Sequence, residues 1–265
     1  MKLIASWGSS GAGKSTLAVA VAAKLAADNK DVLIIGADSR TPALPFYLPG
    51  AVKFTAIHSI GSLWETSGGL SESALKDKLH RHPGDGHIYV MGYASGEIAS
   101  VTYRAPERGT VAGLLQLLRD SPFEYAIIDC DSNPIYDGLT LYALEYADVV
   151  LRTATPDIKG YEGLKAQLGW LDRNDRFDVG RHVRIANNVY ESTPLKEASA
   201  LFGGFDLTLP HAPGVRDRIS AGKLPRGLDE PRGISFESGV GRLCQKIMEE
   251  EYGEKHQREN VLRQR

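Results

Sequence analysis

Apolar residues gather in short unbroken runs: Leu3-Ile4-Ala5-Ser6, Val32-Leu33-Ile34-Ile35, Ile88-Tyr89-Val90-Met91, Tyr125-Ala126-Ile127-Ile128, Val149-Val150-Leu151, Val183-Arg184-Ile185-Ala186 and Phe205-Asp206-Leu207. A strand wet on one face alternates apolar and polar residues, whereas a continuous run suits a strand covered on both faces, as in a parallel sheet. Between the runs lie helical stretches: Ser15 to Ala27, Thr110 to Arg119, Gly138 to Tyr146, Gly160 to Leu171, Pro194 to Leu201 and Ser238 to about Glu251. Strand and helix therefore alternate almost throughout. This rhythm predicts a doubly wound α/β fold, a mostly parallel sheet with helices on both faces in three layers, with ligands outside the carboxyl ends of the strands. One domain is expected over residues 1–252, followed by a basic, flexible tail over 253–265. The stretch from Ser39 to about Gly69 is the least regular, being interrupted by Pro42, Pro45 and Pro49. Its Phe46-Tyr47-Leu48 is expected to pack inside, because exposed apolar clusters are uncommon on soluble proteins.

Composition narrows the class. The 265 residues carry 31 Lys+Arg against 33 Asp+Glu, a net charge of -2, which disfavours a surface devoted to nucleic acid without excluding a local basic patch. Two cysteines, Cys130 and Cys244, make neither a disulfide framework nor a cysteine-only zinc site, which fits a reducing cytoplasm. No run of about 18 apolar residues is present, so no membrane span is expected. His80, His82, Asp85 and His87 cluster in a turn-like segment whose spacing fits no metal site, and a solvated loop is expected there.

The chemistry is concentrated in Gly8-Ser9-Ser10-Gly11-Ala12-Gly13-Lys14-Ser15-Thr16, which satisfies GxxxxGK(S/T) between a predicted strand and a predicted helix. Glycines let consecutive backbone N–H groups point into one concavity, and the helix N-terminus adds partial positive charge where a phosphate sits. In that setting Lys14 reaches the β- and γ-phosphates, the Ser15 hydroxyl ligates Mg²⁺, and Thr16 faces the α-phosphate. Two acidic strand ends complete the metal set. Asp38 stands just past the run Val32-Leu33-Ile34-Ile35, and Asp129 ends Tyr125-Ala126-Ile127-Ile128, where a carboxylate holds Mg²⁺ through water.

These pieces, in this order, resemble a MinD/ParA-type P-loop ATPase over residue 1 to about 250. The resemblance rests on the loop, Asp38 placed 24 residues after Lys14, the Asp129 strand and Ala147-Asp148-Val149-Val150-Leu151 followed by Thr155-Pro156-Asp157. It rests also on Ile185-Ala186-Asn187-Asn188-Val189 and on Leu209-Pro210-His211 through Val215-Arg216, Ala221 and Gly222-Lys223. It implies ATP with Mg²⁺ held between two protomers, hydrolysis that separates the homodimer, and release of whatever the dimer bound. It further implies that Asp38 positions the attacking water and that Asn187 or Asn188 reads the adenine edge beside Pro210 and His211.

The departures are informative. The family's deviant loop reads KGGxGK(S/T), with an extra lysine that crosses to the partner's phosphates, and Ser9 stands in its place. A serine supplies no positive charge, so slow turnover is expected; Lys159 and Lys223 are the candidate replacements. Gly36 stands where the family often carries a further acidic residue. Loss of the lysine resembles the TadZ/CpaE-like pilus-localisation branch. The leading expectation is therefore an ATP-dimerised spatial organiser or polar landmark, recruited through a protein partner of a pilus, secretion or conjugation apparatus. A ParA-like ATPase that partitions DNA and a scaffold that binds ATP without turning it over are the alternatives.

Overall fold

The computed structural model describes residues 1–48, 55–65, 70–174 and 176–263, apart from the side chains of residues 100 and 250–263. Eight strands form one sheet in the order β3-β4-β2-β5-β1-β6-β7-β8. They are β1 (Lys2–Gly8), β2 (Val32–Gly36), β3 (His80–Arg81), β4 (Ile88–Gly92), β5 (Tyr125–Asp129), β6 (Val149–Ala154), β7 (His182–Val189) and β8 (Leu207–Pro210). All pairings are parallel except that of the two-residue β3 with β4. The chain leaves β1 toward one edge, returns to insert β5 beside it, and continues through β6 on its other side. β1 therefore lies at the topological switch point, where an open α/β sheet has its ligand crevice.

Helices cover both faces: α1 (Lys14–Ala27), α2 (Leu44–Tyr47), α3 (Glu72–Lys76), α4 (Ala99–Thr102), α5 (Arg108–Arg119), α6 (Gly138–Tyr146), α7 (Ile158–Leu171), α8 (Leu195–Phe202), α9 (Pro213–Ser220) and α10 (Pro231–Arg263). The strands' apolar runs feed two cores. On one face Ile4, Ile34, Ile127 and Leu151 pack beneath α1 and α10; on the other Leu3, Ile35, Ile128 and Val150 pack beneath α5, α6 and α7. α1 is apolar around nearly its whole circumference because it lies between the sheet and α10.

All seven predicted runs lie in or beside strands, although the last is displaced: β8 begins at Leu207, and Phe205 precedes it. The short α2, α3 and α4, too brief for a 3.6-residue period to declare itself, are additions to the sequence reading. So is α9, which begins on Pro213, whose fixed φ suits a first helical turn. The histidine segment is not a fully solvated loop. His80 pairs with Val90 in β3, and His82 is buried, its backbone N–H donating to the Ile88 carbonyl at 2.8 Å. Among the described residues no group of three or more His, Cys, Asp or Glu is arranged to hold a metal.

Phe46-Tyr47-Leu48 divides by position: Leu48 is buried, Tyr47 partly buried, and Phe46 is 66% exposed. Pro49, part of the irregular stretch, lies outside the described residues. α10 begins before and extends beyond the stretch read from sequence. Its backbone includes residues 253–263, and Gln264 and Arg265 lie outside the described residues. Among the described residues no helix is long and apolar enough to cross a membrane.

Candidate nucleotide site

The loop after β1 enters α1 through Gly13, whose φ of +82° is left-handed. A Cβ there would lie 2.6 Å from the Asn187 side-chain nitrogen, so both conformation and space demand glycine. No side chain caps α1 and no acidic residue occupies its first turn, which leaves its leading N–H groups and the positive end of its dipole facing the loop concavity. Ser6 Oγ donates to the Lys14 carbonyl at 3.1 Å, and the Lys14 ammonium donates to Ser132 Oγ at 2.6 Å and the Ser9 carbonyl at 3.4 Å. Lys14 is thus drawn over the loop by the Ser9 carbonyl and by the turn after β5.

The three predicted metal-binding residues converge. Ser15, Asp38 and Asp129 line one narrow cleft of about 20 Å³, room for about one water-sized sphere. Asp129 is buried, and its Oδ1 has no hydrogen-bond partner among the described residues. Burial pushes its carboxyl up to about 6, opposed by the Ser15 hydroxyl and the Lys14 charge. Asp38 Oδ1 accepts the backbone N–H groups of Arg40 at 3.0 Å and Thr41 at 2.8 Å. Burial also raises the Asp38 carboxyl, and nearby Asp131 adds to the rise. An unpartnered buried carboxylate oxygen beside a serine hydroxyl and a second carboxylate is an oxygen-rich set that suits a hard divalent cation. Gly36 cannot be exchanged for an acidic residue without displacing its neighbour, because a Cβ there would stand 3.2 Å from Leu44.

A larger cavity, of about 400 Å³, opens from Gly11, Gly13, Lys14, Ser15 and Thr16 toward Asn188, Pro210 and His211. The loop residues themselves divide: Gly8 ends β1, while Ser9 and Ser10 face away from this cavity, toward Arg40 and Lys159. Asn187 and Asn188 both line this cavity but are held differently. β7 shifts register between Ala186 and Val189, and Asn188 is left-handed with φ +56°. The buried Asn187 Nδ2 donates to the Ala12 carbonyl at 2.8 Å, which braces the loop, and both Asn187 and Asn188 line the cavity wall. His211 is held by a ring stack on Tyr190, with centroids 4.4 Å apart and planes 22° from parallel.

Tyr47, Arg216 and Phe236 also line this cavity. Arg216 belongs to the segment from Leu209 to Lys223 that carries part of the resemblance, where the sequence assigns it no role. Tyr47 and Phe236 reach the site through tertiary packing, for which a local sequence pattern carries no signal. Of the proposed substitute cations, Lys159 lines the space beside Ser9, whereas Lys223 lies in the turn after α9, its N–H donating to the Arg218 carbonyl at 2.8 Å.

Residues 3–201 match the family described as the CobQ/CobB/MinD/ParA nucleotide binding domain. The chain belongs to this family. The match covers β1 through most of α8 and stops before β8, so the cavity wall formed by Pro210, His211, Arg216 and Phe236 lies beyond it. Solved structures of similar fold include the ParA family ATPase from Chlorobium tepidum TLS, with a TM-score of 0.75, 15% identity, and coverage of 92% of this chain and 98% of that one. The Pyrococcus furiosus cell division ATPase MinD superposes with a TM-score of 0.71 at 15% identity, over 93% of this chain and 99% of that one. The septum site-determining protein MinD of Pyrococcus horikoshii OT3, solved with Mg-ADP, gives 0.70 at 16% identity, over 93% and 96% of the two chains. No curated protein matches the sequence.

Proposed function

We propose that this nucleotide-binding domain is an ATP-dependent switch with slow ATP hydrolysis. The observation that carries the reading is the uncapped start of α1, with Lys14 folded over the loop, next to the cleft shared by Ser15, Asp38 and Asp129. Bound ATP with Mg²⁺ supplies a phosphoryl group whose transfer depends on charge neutralisation and alignment. The chain's residues divide that work. The open α1 amides and Lys14 bind phosphate; Ser15 and Asp129 hold the cation. Asp38, fixed by two backbone N–H groups, orients water, and burial makes it a better proton acceptor than an exposed carboxylate. Asn187 holds the loop in shape, and Asn188, Pro210 and His211 face the base.

The same reading includes an ATP-dependent homodimer. Exposed apolar residues follow the carboxyl ends of four parallel strands: Phe46 after β2, Val101 (81% exposed) after β4, Tyr136 (76%) after β5 and Ile158 (78%) after β6. Parallel strands place all four at the end of the sheet that carries the site, which supports a protomer-on-protomer contact there. The cellular role we propose is a spatial organiser for a pilus, secretion or conjugation apparatus, supported by the absence of a lysine at position 9.

Phosphate release by the intact chain and by Asp38→Ala tests the enzyme: abolished turnover in the variant is expected, and equal rates would refute the role of Asp38. Gel filtration with ATP and with ADP tests the switch, which an unchanged monomer in both would remove. ATP-dependent DNA retention that falls steeply between low and high salt would replace the organiser with the partition reading.

A further inference from the structure

Outside the nucleotide cavity, a second space of about 420 Å³ lies on the other side of the phosphate loop. It is bounded by Ser9, the loop after β2 with Asp38 and Arg40, the turn after β5 with Asp131, and the start of α7 with Lys159. Ser9 is buried, and its hydroxyl has no partner among the described residues. The position from which the family's extra lysine would extend is therefore occupied by a small, unsatisfied side chain, with a cation nearby on each of two walls.

Of those two cations, Arg40 is the better placed and the better suited. It stands two residues beyond Asp38 and shares its turn, since the Arg40 N–H itself donates to Asp38 Oδ1. Its guanidinium forks onto buried Asp131, with Nε donating to Oδ2 at 2.7 Å and Nη2 to Oδ1. Asp131 Oδ1 also accepts the Asn133 N–H at 2.7 Å, so the carboxylate keeps a partner if Arg40 leaves. The Arg40 side chain is about half exposed, which leaves it free to move without opening the core. A planar guanidinium fork matches a phosphate as well as a carboxylate, whereas the Lys159 ammonium is a single charge on a flexible stem. Asp38, Asp129, Asp131 and Asp137 already crowd the ends of β2 and β5. A polyphosphate arriving beside them would compete directly for the Arg40 charge.

We propose that Arg40 supplies, from within the same chain, the positive charge that Ser9 lacks: it rests on Asp131 without nucleotide and moves to the terminal phosphate of a nucleoside triphosphate. This rests on the proposed ATP binding. Asp131 is then a holding residue that sets how readily the charge is released.

The test is a binding titration of the full chain with a non-hydrolysable ATP analogue and, separately, with ADP. Arg40→Ala is expected to weaken the triphosphate about tenfold or more while ADP changes less than about twofold, because a charge-assisted contact to the terminal phosphate is absent with ADP. Arg40→Lys should recover part of the loss, and Asp131→Asn should tighten the triphosphate selectively. Circular dichroism of each variant guards against misfolding, and Arg40→Gln repeats the test with a side chain of similar length. Equal loss for both nucleotides, unchanged discrimination in Arg40→Ala and Arg40→Gln, or a selective loss confined to Lys159→Ala would overturn the proposal. Failure of the unaltered chain to bind either nucleotide would remove the proposed function as well, whereas ATP binding with unchanged discrimination in the variants would remove this inference alone.

Discussion

Replacing Gly13 with alanine perturbs two features of the phosphate loop, and a second substitution separates them. The backbone at Gly13 is left-handed, and holding alanine there costs about 1–2 kcal/mol. The new methyl would also lie 2.6 Å from Asn187 Nδ2, which donates to the Ala12 carbonyl at 2.8 Å within the protein. Pushing that amide aside leaves a buried donor and acceptor unpaired, a further cost of about 1–3 kcal/mol. Gly13→Ala should therefore lower the unfolding free energy by about 2–5 kcal/mol. Asn187→Ala should cost about 1–3 kcal/mol, because it leaves the Ala12 carbonyl without its partner. In the double variant the methyl enters space vacated by the amide, and only the backbone strain and the lost bond remain. The double should thus be less destabilised than the sum of the singles by about 1–3 kcal/mol, measured by urea unfolding of all four proteins without nucleotide. Strict additivity would refute the argument that Asn187 braces the loop against Gly13.

Three further outcomes follow from the site. Lys14→Ala should abolish uptake of a fluorescent adenine nucleotide at concentrations that saturate the unaltered chain, and undiminished uptake would contradict the phosphate-loop assignment. The ligand-free Asp129 carboxyl titrates near 6 rather than the usual 3.8, a raised folded-state value, so its stability contribution is present below about pH 4 and lost as pH climbs through 6. Asp129→Asn should remove that loss of about 3 kcal/mol and be the more stable protein at pH 7.5 in EDTA, and identical pH profiles would count against the buried-carboxylate account. Ile158→Glu places a charge on a side chain that is 78% exposed, and should prevent ATP-dependent dimerisation in gel filtration while leaving the melting temperature within a few degrees; a dimer that persists would exclude that face.

Much of the architecture was legible because the signals were local. Unbroken apolar runs such as Ile34-Ile35 report burial on both faces, and the loop from Gly8 to Thr16 brings its own strand and helix with it. Asp129 and Asp38 could be read as strand ends, and the structure brings both to one cleft with Ser15. What remained hidden depends on contacts distant in sequence. Asn187 and Asn188 are indistinguishable as letters; both reach the cavity wall, but only the first is tied to the Ala12 carbonyl, beside a register shift in β7 and a left-handed Asn188. Arg40 and Asp131, 91 residues apart, meet only because β2 and β5 are neighbours. The buried position of His82 likewise follows from a two-residue strand too short to leave a periodic trace.

The phosphate loop grows from β1, flanked by β5 and β6 deep inside the eight-stranded sheet. A strand so placed opens to hydrogen exchange only when the whole domain opens, so a partly unfolded chain has no stem on which the loop can keep its shape. Nucleotide capture and global folding then draw on the same free energy: ligand at a hundredfold its dissociation constant adds about 2.7 kcal/mol to the entire domain rather than to one lobe. A thermal-shift titration would consequently report occupancy of this site, and amide protection along Leu3 to Ser6 would rise in step with it.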